Sequence, residues 1–399
     1  MPNIAKIQKA IDDTARLVIG AYKIPAIAAV LVNENGSKVL HSVQGLKDAS
    51  KSATAASNKA GKGDFFNVGS ISKPITGLFI AALIKRGDLK WDTKISDVFT
   101  EFKSKAFRDH CGLNSNFLNT KLYELISHSS GMGGQFYFDR NNDNKRGGDT
   151  DPFRVPEEQG ILAGGSSRDS EWMSFESLRY QRYLYTLLYM KKKKYKYKQT
   201  DDLGYNNKHA TGYSSSVTIA TAMAERKLGR AWELIMTELL FHPLPMEMRF
   251  GAVPNGMQHH SHDTGSGKFV PNPSFTNTLS NYSSKFMTGA IHCTVEGMAQ
   301  YIRYNIRALT YGQAFDVTAY QKPVTNAAQG GLFLNTGANN NEPLWHVGTT
   351  GGSRAVLNVY PHTGAGYAVM MNCVDGNSQA AMDDMSKALA DIYKNWNTY

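Results

Sequence analysis

The chain has 399 residues, of which 41% are hydrophobic and 20% charged, a balance that excludes a disordered protein and suits two or three domains at about 150 residues each. Its formal net charge is +10, and the run KKKKYKYK at 191–198 supplies six of those charges without an acid; a solvated surface segment is expected there, docking on an acidic surface is the alternative, and no nucleic-acid partner is expected. No stretch reaches the roughly 18 apolar residues of a membrane helix, and Cys111, Cys293 and Cys373 are odd in number and lack CxxC spacing, which argues against a disulfide framework or a structural zinc site.

The N-terminus, MPNIAKIQKAIDD, lacks a basic start followed by an apolar core, so it does not read as a secretory signal. A cytoplasmic protein is expected, or a periplasmic or secreted one if a signal has been removed. Residues 4–19 read as an amphipathic helix with Ile4, Ile7, Ile11, Ala15 and Leu17 or Val18 near one face. IAAVLV at 27–32 and VLHSV, joined by NENGSK, read as a hairpin whose Asn and Gly tolerate positive φ. Residues 47–63 read as a loop. SISKPITGLFIAALIKRG at 70–87 predicts a helix with Pro74 near its first turn, a stripe of Leu78, Ala81, Ala82 and Ile84, and Gly87 at its end.

A second helical piece is expected at 121–128. From 136 to 210 the composition turns polar and then tyrosine- and lysine-rich, which reads as an insertion. Helical periodicity returns at 216–228 and 231–240, and 251–285 reads as irregular. GGLFLN, PLWHVG, AVLNVYP and GYAVMMNCV read as an antiparallel meander, followed by a closing helix at 378–396. The expected fold class is α+β: an antiparallel β-sheet flanked by N- and C-terminal helices, with an inserted, mainly helical domain. Residues 1–65 and 325–399 are assigned to the sheet domain. Residues 66–324 are assigned to the helical domain carrying the nucleophile, with the insertion at 136–210.

Ser70-Ile71-Ser72-Lys73 is the strongest chemical feature. Residues three apart on a helix share a face, so the Lys73 amine can reach the Ser70 hydroxyl. A serine needs a neighbour to take its proton, and a lysine serves only if its pKa is lowered. Taken alone the spacing is weak, because a helix cap followed by a surface lysine looks the same.

The flanks add weight. FNVGSISKPITGLFIAALIKRG resembles the active-site helix of the serine β-lactamase and penicillin-binding protein family, in particular its class C β-lactamase, D-alanyl-peptidase and family VIII esterase branch. LISHSSGM, Tyr213-Ser214-Ser215, FHPLPM and Trp345-His346-Val347-Gly348-Thr349 follow in that family's order, as do two apolar strands and Asn372. Close matches cover about 65–135, 211–250 and 329–375. The resemblance implies Ser70 as the acylated nucleophile, Lys73 as its proton partner and Tyr213 as base or relay. It also implies an oxyanion hole from the backbone N–H groups of Ser70 and Thr349, next to Gly348. His346 would hold Tyr213 or bind the acidic end of a substrate.

Two departures stand out. Ser215 occupies the slot where the family usually has asparagine, and His346 replaces lysine. Among relatives the His-x-Gly form suggests peptidases, amidases and esterases more than β-lactamases. The implied activity is a serine hydrolase acting on a small ester, amide or peptide through an acyl-enzyme, with no cofactor and no metal. A true class C-type β-lactamase and a non-catalytic binding or sensor homologue are the rivals. His259, His260, His262 and Asp263 could hold a metal, but solvated loop histidines are the expectation. Asp139, Asn141, Asp143 and Asp149 resemble the start of a calcium loop, but Asn144 and Thr150 do not fit its sixth and twelfth positions. Arg354 could pair with a substrate carboxylate or form a structural ion pair.

Overall fold

The computed structural model describes residues 2–126, Ser130, nine helical positions between 175 and 190, 213–250, 256–272, 286–289, 291–311 and 342–399. The calls on the acidic residues at 139–149, on the lysine run at 191–198 and on the strand at GGLFLN fall outside these residues, as does most of 136–210.

The first helix, α1 (Ile4–Tyr22), is capped by Asn3, whose side chain accepts from the Lys6 N–H, and buries Ile7, Ile11, Ala15 and Val18. Leu17 points outward, so Val18 completes the stripe. Two strands follow, β1 (Ala26–Asn33) and β2 (Lys38–Gly45). They pair antiparallel, with Glu34, Asn35 and Gly36 at positive φ in the turn. The short β3 (Phe66–Asn67) leads through a 3-10 turn at Gly69–Ile71 into α2 (Ser72–Arg86). Every α2 residue from Ser72 to Ala81 is buried, as is Leu83. The expected stripe of Leu78, Ala81, Ala82 and Ile84 is therefore too narrow. An almost wholly apolar helix is covered on nearly all sides; of the expected stripe Ala82 and Ile84 are only half-buried, and Lys85 and Arg86 at the helix end are exposed.

The chain divides into two compact units, one of residues 1–85 and 236–399, the other of residues 86–235. The helix α2, through Lys85, sits in the unit that holds the large sheet. The second unit contains α3 (Leu122–Ile126), α4 (Tyr213–Leu228) and α5 (Trp232–Met236). There Arg182 is 1% exposed. It donates to both carboxylate oxygens of Glu225 and, at 2.8 Å each, to both of Glu233. Arg182 thereby ties its own helical segment to α4 and α5.

In the first unit β4 (Met248–Phe250) precedes β5 (His260–Asp263) and β6 (Lys268–Pro271). The last two form a hairpin inside the stretch read as irregular. Each strand is four residues long and partly polar, too short to show an alternation. Next come β7 (Ile291–Cys293), α6 (Val295–Tyr311), β8 (Leu344–Thr350), β9 (Ser353–Tyr360), β10 (Ala365–Met371), β11 (Cys373–Val374) and α7 (Ser378–Lys394).

The main sheet runs β2-β1-β10-β9-β8, all antiparallel. Both ends of the chain thus share one sheet, as the meander pattern implied. β1 is buried at every position, because helices cover both faces. On one face Ile7 and Ile11 of α1 and Met385 and Leu389 of α7 pack with Ala29, Leu31, Val369 and Met371; α6 packs on β1 and β10. The termini meet, the Asn3 N–H donating to the Tyr399 carbonyl at 2.9 Å. No helix among the described residues is long and apolar enough to cross a membrane.

Candidate active site

The site is built where β3 turns into α2 beside the edge strand β8. The turn is tight for a sequence reason. Gly69 has φ +51°, and a Cβ there would lie 2.6 Å from the Thr349 nitrogen. A Cβ on Gly348 would lie 2.0 Å from the Val68 carbonyl oxygen and 2.9 Å from the Ser70 nitrogen. Two glycines therefore let the β8 backbone press directly on residues 68–70. Ser70, Gly348 and Thr349, called from the sequence, come together here.

Ser70 lies within the 3-10 turn just ahead of α2, two residues before the regular helix begins at Ser72. Lys73 is in the first turn and is 7% exposed. Its Nζ donates to Ser70 Oγ at 2.6 Å. Burial lowers the Lys73 pKa from the ordinary 10.5 to about 8. A deprotonated Lys73 reverses that bond and accepts the serine proton, so a weak alcohol becomes a usable nucleophile near neutral pH. The start of α2 adds the positive end of a helix to the same place.

His346 lies on the buried face of β8 with Gly348, while Val347 and Thr349 face outward. The His346 Nδ1–H donates to the Val347 carbonyl at 2.7 Å, which makes Nε2 the acceptor in the neutral ring. Tyr213 is the first residue of α4 and Ser215 lies in its first turn; both belong to the second unit, and their side chains lie outside the description. In that unit Ser130 and Ser216, both fully buried, approach within 3.2 Å through their hydroxyls, which ties Ser130 to α4.

Ser72 and Asn67 carry no motif signal, yet both hold the site together. The Ser72 hydroxyl accepts from the Ile291 N–H at 3.1 Å, pinning β7 to the start of α2. Asn67 bonds to three separate segments. Only an asparagine in a buried strand beside the nucleophile could have hinted at it.

Several weaker calls are corrected or resolved. His259 and His260 are not solvated; they are 1% and 0% exposed. The His260 Nδ1–H donates to the Asn372 carbonyl at 2.9 Å, and Nε2 accepts from the Ala49 N–H at 2.9 Å. Backbone partners thus satisfy a core imidazole. Burial lowers the pKa of both rings, that of His259 to about 4. Among the described residues no group of three or more His, Cys, Asp or Glu is placed to hold a metal ion. Arg354 donates to Gln379 of α7. Cys111, Cys293 and Cys373 are all free thiols.

A family model described as Beta-lactamase matches residues 9–392. Among solved structures the chain is similar to a crystal structure of SurE, with TM-score 0.63 and 13% identity over 98% of this chain and 76% of that one. It is also similar to the octameric penicillin-binding protein homologue from Pyrococcus abyssi, with TM-score 0.61 and 18% identity over 97% of this chain and 78% of that one. At these identities the likeness is one of fold. No curated protein matches the sequence.

Proposed function

The chain belongs to the β-lactamase family, and on that premise we propose that it is a serine hydrolase that forms an acyl-enzyme on Ser70. The observation that carries this reading is the bond between Lys73 and Ser70 at 2.6 Å with the amine buried. Lys73 takes the Ser70 proton as Oγ attacks the carbonyl carbon of an ester or amide. The carbonyl π pair moves to oxygen, where the N–H groups of Ser70 and Thr349 receive it. Collapse expels the alcohol or amine, which leaves with a proton passed on from Lys73. Water then attacks the acyl-serine, frees the acid and restores Ser70.

The family resemblance adds Tyr213 as the proton relay and His346 as a group that holds it or meets the acidic end of a substrate. The shorter Ser215 in place of asparagine weakens amide recognition. His346 in place of lysine favours an ester or a D-amino-acid peptide or amide over a β-lactam. The metal-free chemistry follows from the serine–lysine pair, which supplies nucleophile and base without a cofactor.

The test is intact-protein mass spectrometry after exposure to short-chain nitrophenyl esters, D-alanine amides and penicillin. One acyl mass added to the wild-type protein and absent from Ser70→Ala is expected. Labelling that survives the substitution refutes the assignment.

A further inference from the structure

Asn67 ends β3 and is 2% exposed. Its Oδ1 accepts two hydrogen bonds, one from the Gly69 N–H at 2.8 Å and one from the Ser353 hydroxyl at 3.1 Å. Its Nδ2 donates to the Gly289 carbonyl at 3.1 Å. Chemistry fixes that orientation, since the reversed amide would point its NH2 at the Gly69 N–H and its oxygen at the Gly289 carbonyl. Ser353 opens β9 opposite Thr350, the last residue of β8, and the two hydroxyls are 2.6 Å apart. A single oxygen atom therefore joins the residue before Ser70 to the hairpin that carries Thr349.

That junction has a task. Among the described residues β8 is an edge strand, with no further strand on its outer flank. The amides of Ser70 and Thr349 come from distant parts of the chain and must converge on one oxyanion. A misplacement of about 1 Å in such a site costs about 100-fold in rate. We propose that Asn67 is the positioning residue that sets these two amides against each other, through Gly69 on one side and Ser353 on the other; the proposal rests on the acyl-enzyme reading of Ser70. None of the three bonds of Asn67 involves Lys73, so Asn67 acts on the receiving amides and not on the base.

The experiment uses the full-length chain as wild type, Asn67→Ala, Ser353→Ala, Ser353→Thr and the Asn67→Ala/Ser353→Ala pair. The acylation burst with nitrophenyl butyrate is followed against ester concentration and pH. Hydrogen exchange is measured over the segments around 66–71 and 344–354. In Asn67→Ala the burst rate is expected to fall about 10- to 100-fold, with the half-saturating ester concentration changed by less than about 3-fold. The pH midpoint stays where it is in wild type, and exchange rises in both segments. Ser353→Ala loses about 3- to 10-fold, Ser353→Thr regains it, and the pair is no slower than Asn67→Ala alone. Should Asn67→Ala fail to fold, the Ser353 pair decides by the same loss and recovery.

A burst rate within about 2-fold of wild type in a folded Asn67→Ala overturns the proposal. A shifted pH midpoint overturns it too, because the residue would then act through Lys73. So does a doubly substituted chain whose loss is the product of the single losses. A wild-type protein never acylated at Ser70 refutes the proposed function instead, and the exchange data then decide the brace separately: a rise confined to one segment refutes it.

Discussion

Replacing Lys73 tests the chemistry and the energetics of the site together. With a pKa of about 8, the neutral amine makes up about 1% of molecules at pH 6, about 10% at pH 7 and about 90% at pH 9. The rate of Ser70 acylation should therefore climb about tenfold per pH unit up to pH 7 and level off above pH 9. Lys73→Arg keeps a positive charge and its donors but cannot lose its proton in this range. It should lower the rate about 10²- to 10⁴-fold and abolish the rise.

The same burial has a cost for folding. The depression from 10.5 to about 8 corresponds to about 3 kcal/mol of destabilisation at about 1.4 kcal/mol per pH unit. Its sign follows from proton uptake. Between pH 8 and 10.5 the unfolded chain binds more protons than the folded one, so stability rises with pH across that window. Below pH 8 both forms are protonated and the penalty stays constant. Lys73→Met removes the charge and keeps the volume, and at pH 7 it should gain about 1–3 kcal/mol while losing acylation. Stopped-flow ester bursts from pH 6 to 9.5 and urea unfolding of the three proteins provide the measurements. A flat profile in wild type, an Lys73→Arg rate within a few-fold of wild type, or an Lys73→Met protein less stable than wild type would each break the argument.

Gly69→Ala puts a Cβ 2.6 Å from the Thr349 nitrogen at φ +51° and should cost about 1–3 kcal/mol of stability and at least about 100-fold in acylation; thermal unfolding and the ester burst check both. Arg182→Leu leaves Glu225 and Glu233 buried without their shared cation and should cost about 3–5 kcal/mol in urea unfolding at pH 7, partly recovered in acid as a carboxylate takes up a proton. His259, held near 4 against an ordinary 6.5 by burial, contributes stability that is lost as pH falls below 6.5, because the unfolded chain then binds the extra proton. Comparing wild type with His259→Gln in urea at pH 7 and pH 4.5 should show the substituted chain losing less on acidification.

The parts of the fold that were legible in the sequence obeyed local rules. β1 and β2 announced themselves through a β-branched run, an Asn-Gly turn and a second apolar run, and α1 through a single apolar face. The pairing of Ser70 with Lys73 was legible in a three-residue spacing read together with its flanks. Other features depend on what surrounds a segment. The α2 stripe was drawn too narrow because burial on nearly all sides leaves no polar face to set a phase. β5 and β6 escaped notice because four polar-mixed residues carry no period. His260 looked like a loop residue because its partners are backbone groups, the Ala49 N–H and the Asn372 carbonyl, and no sequence displays those. Asn67 was illegible for the same reason, since its value lies in three contacts scattered along the chain.

The order of the main sheet also governs how the protein comes to exist. β1 emerges from the ribosome early, but its neighbour β10 pairs Met371 with Ile27 and is made roughly 340 residues later. At about 5–20 residues per second that is a wait of about 20–70 s. Until then the first hairpin has an open flank of unpaired backbone and an apolar surface fit for chaperones. The pocket around Ser70 also waits, because β8 and β9 arrive only just ahead of β10. For most of its synthesis the nascent chain therefore holds Ser70 and Lys73 without the Thr349 backbone that later packs beside them.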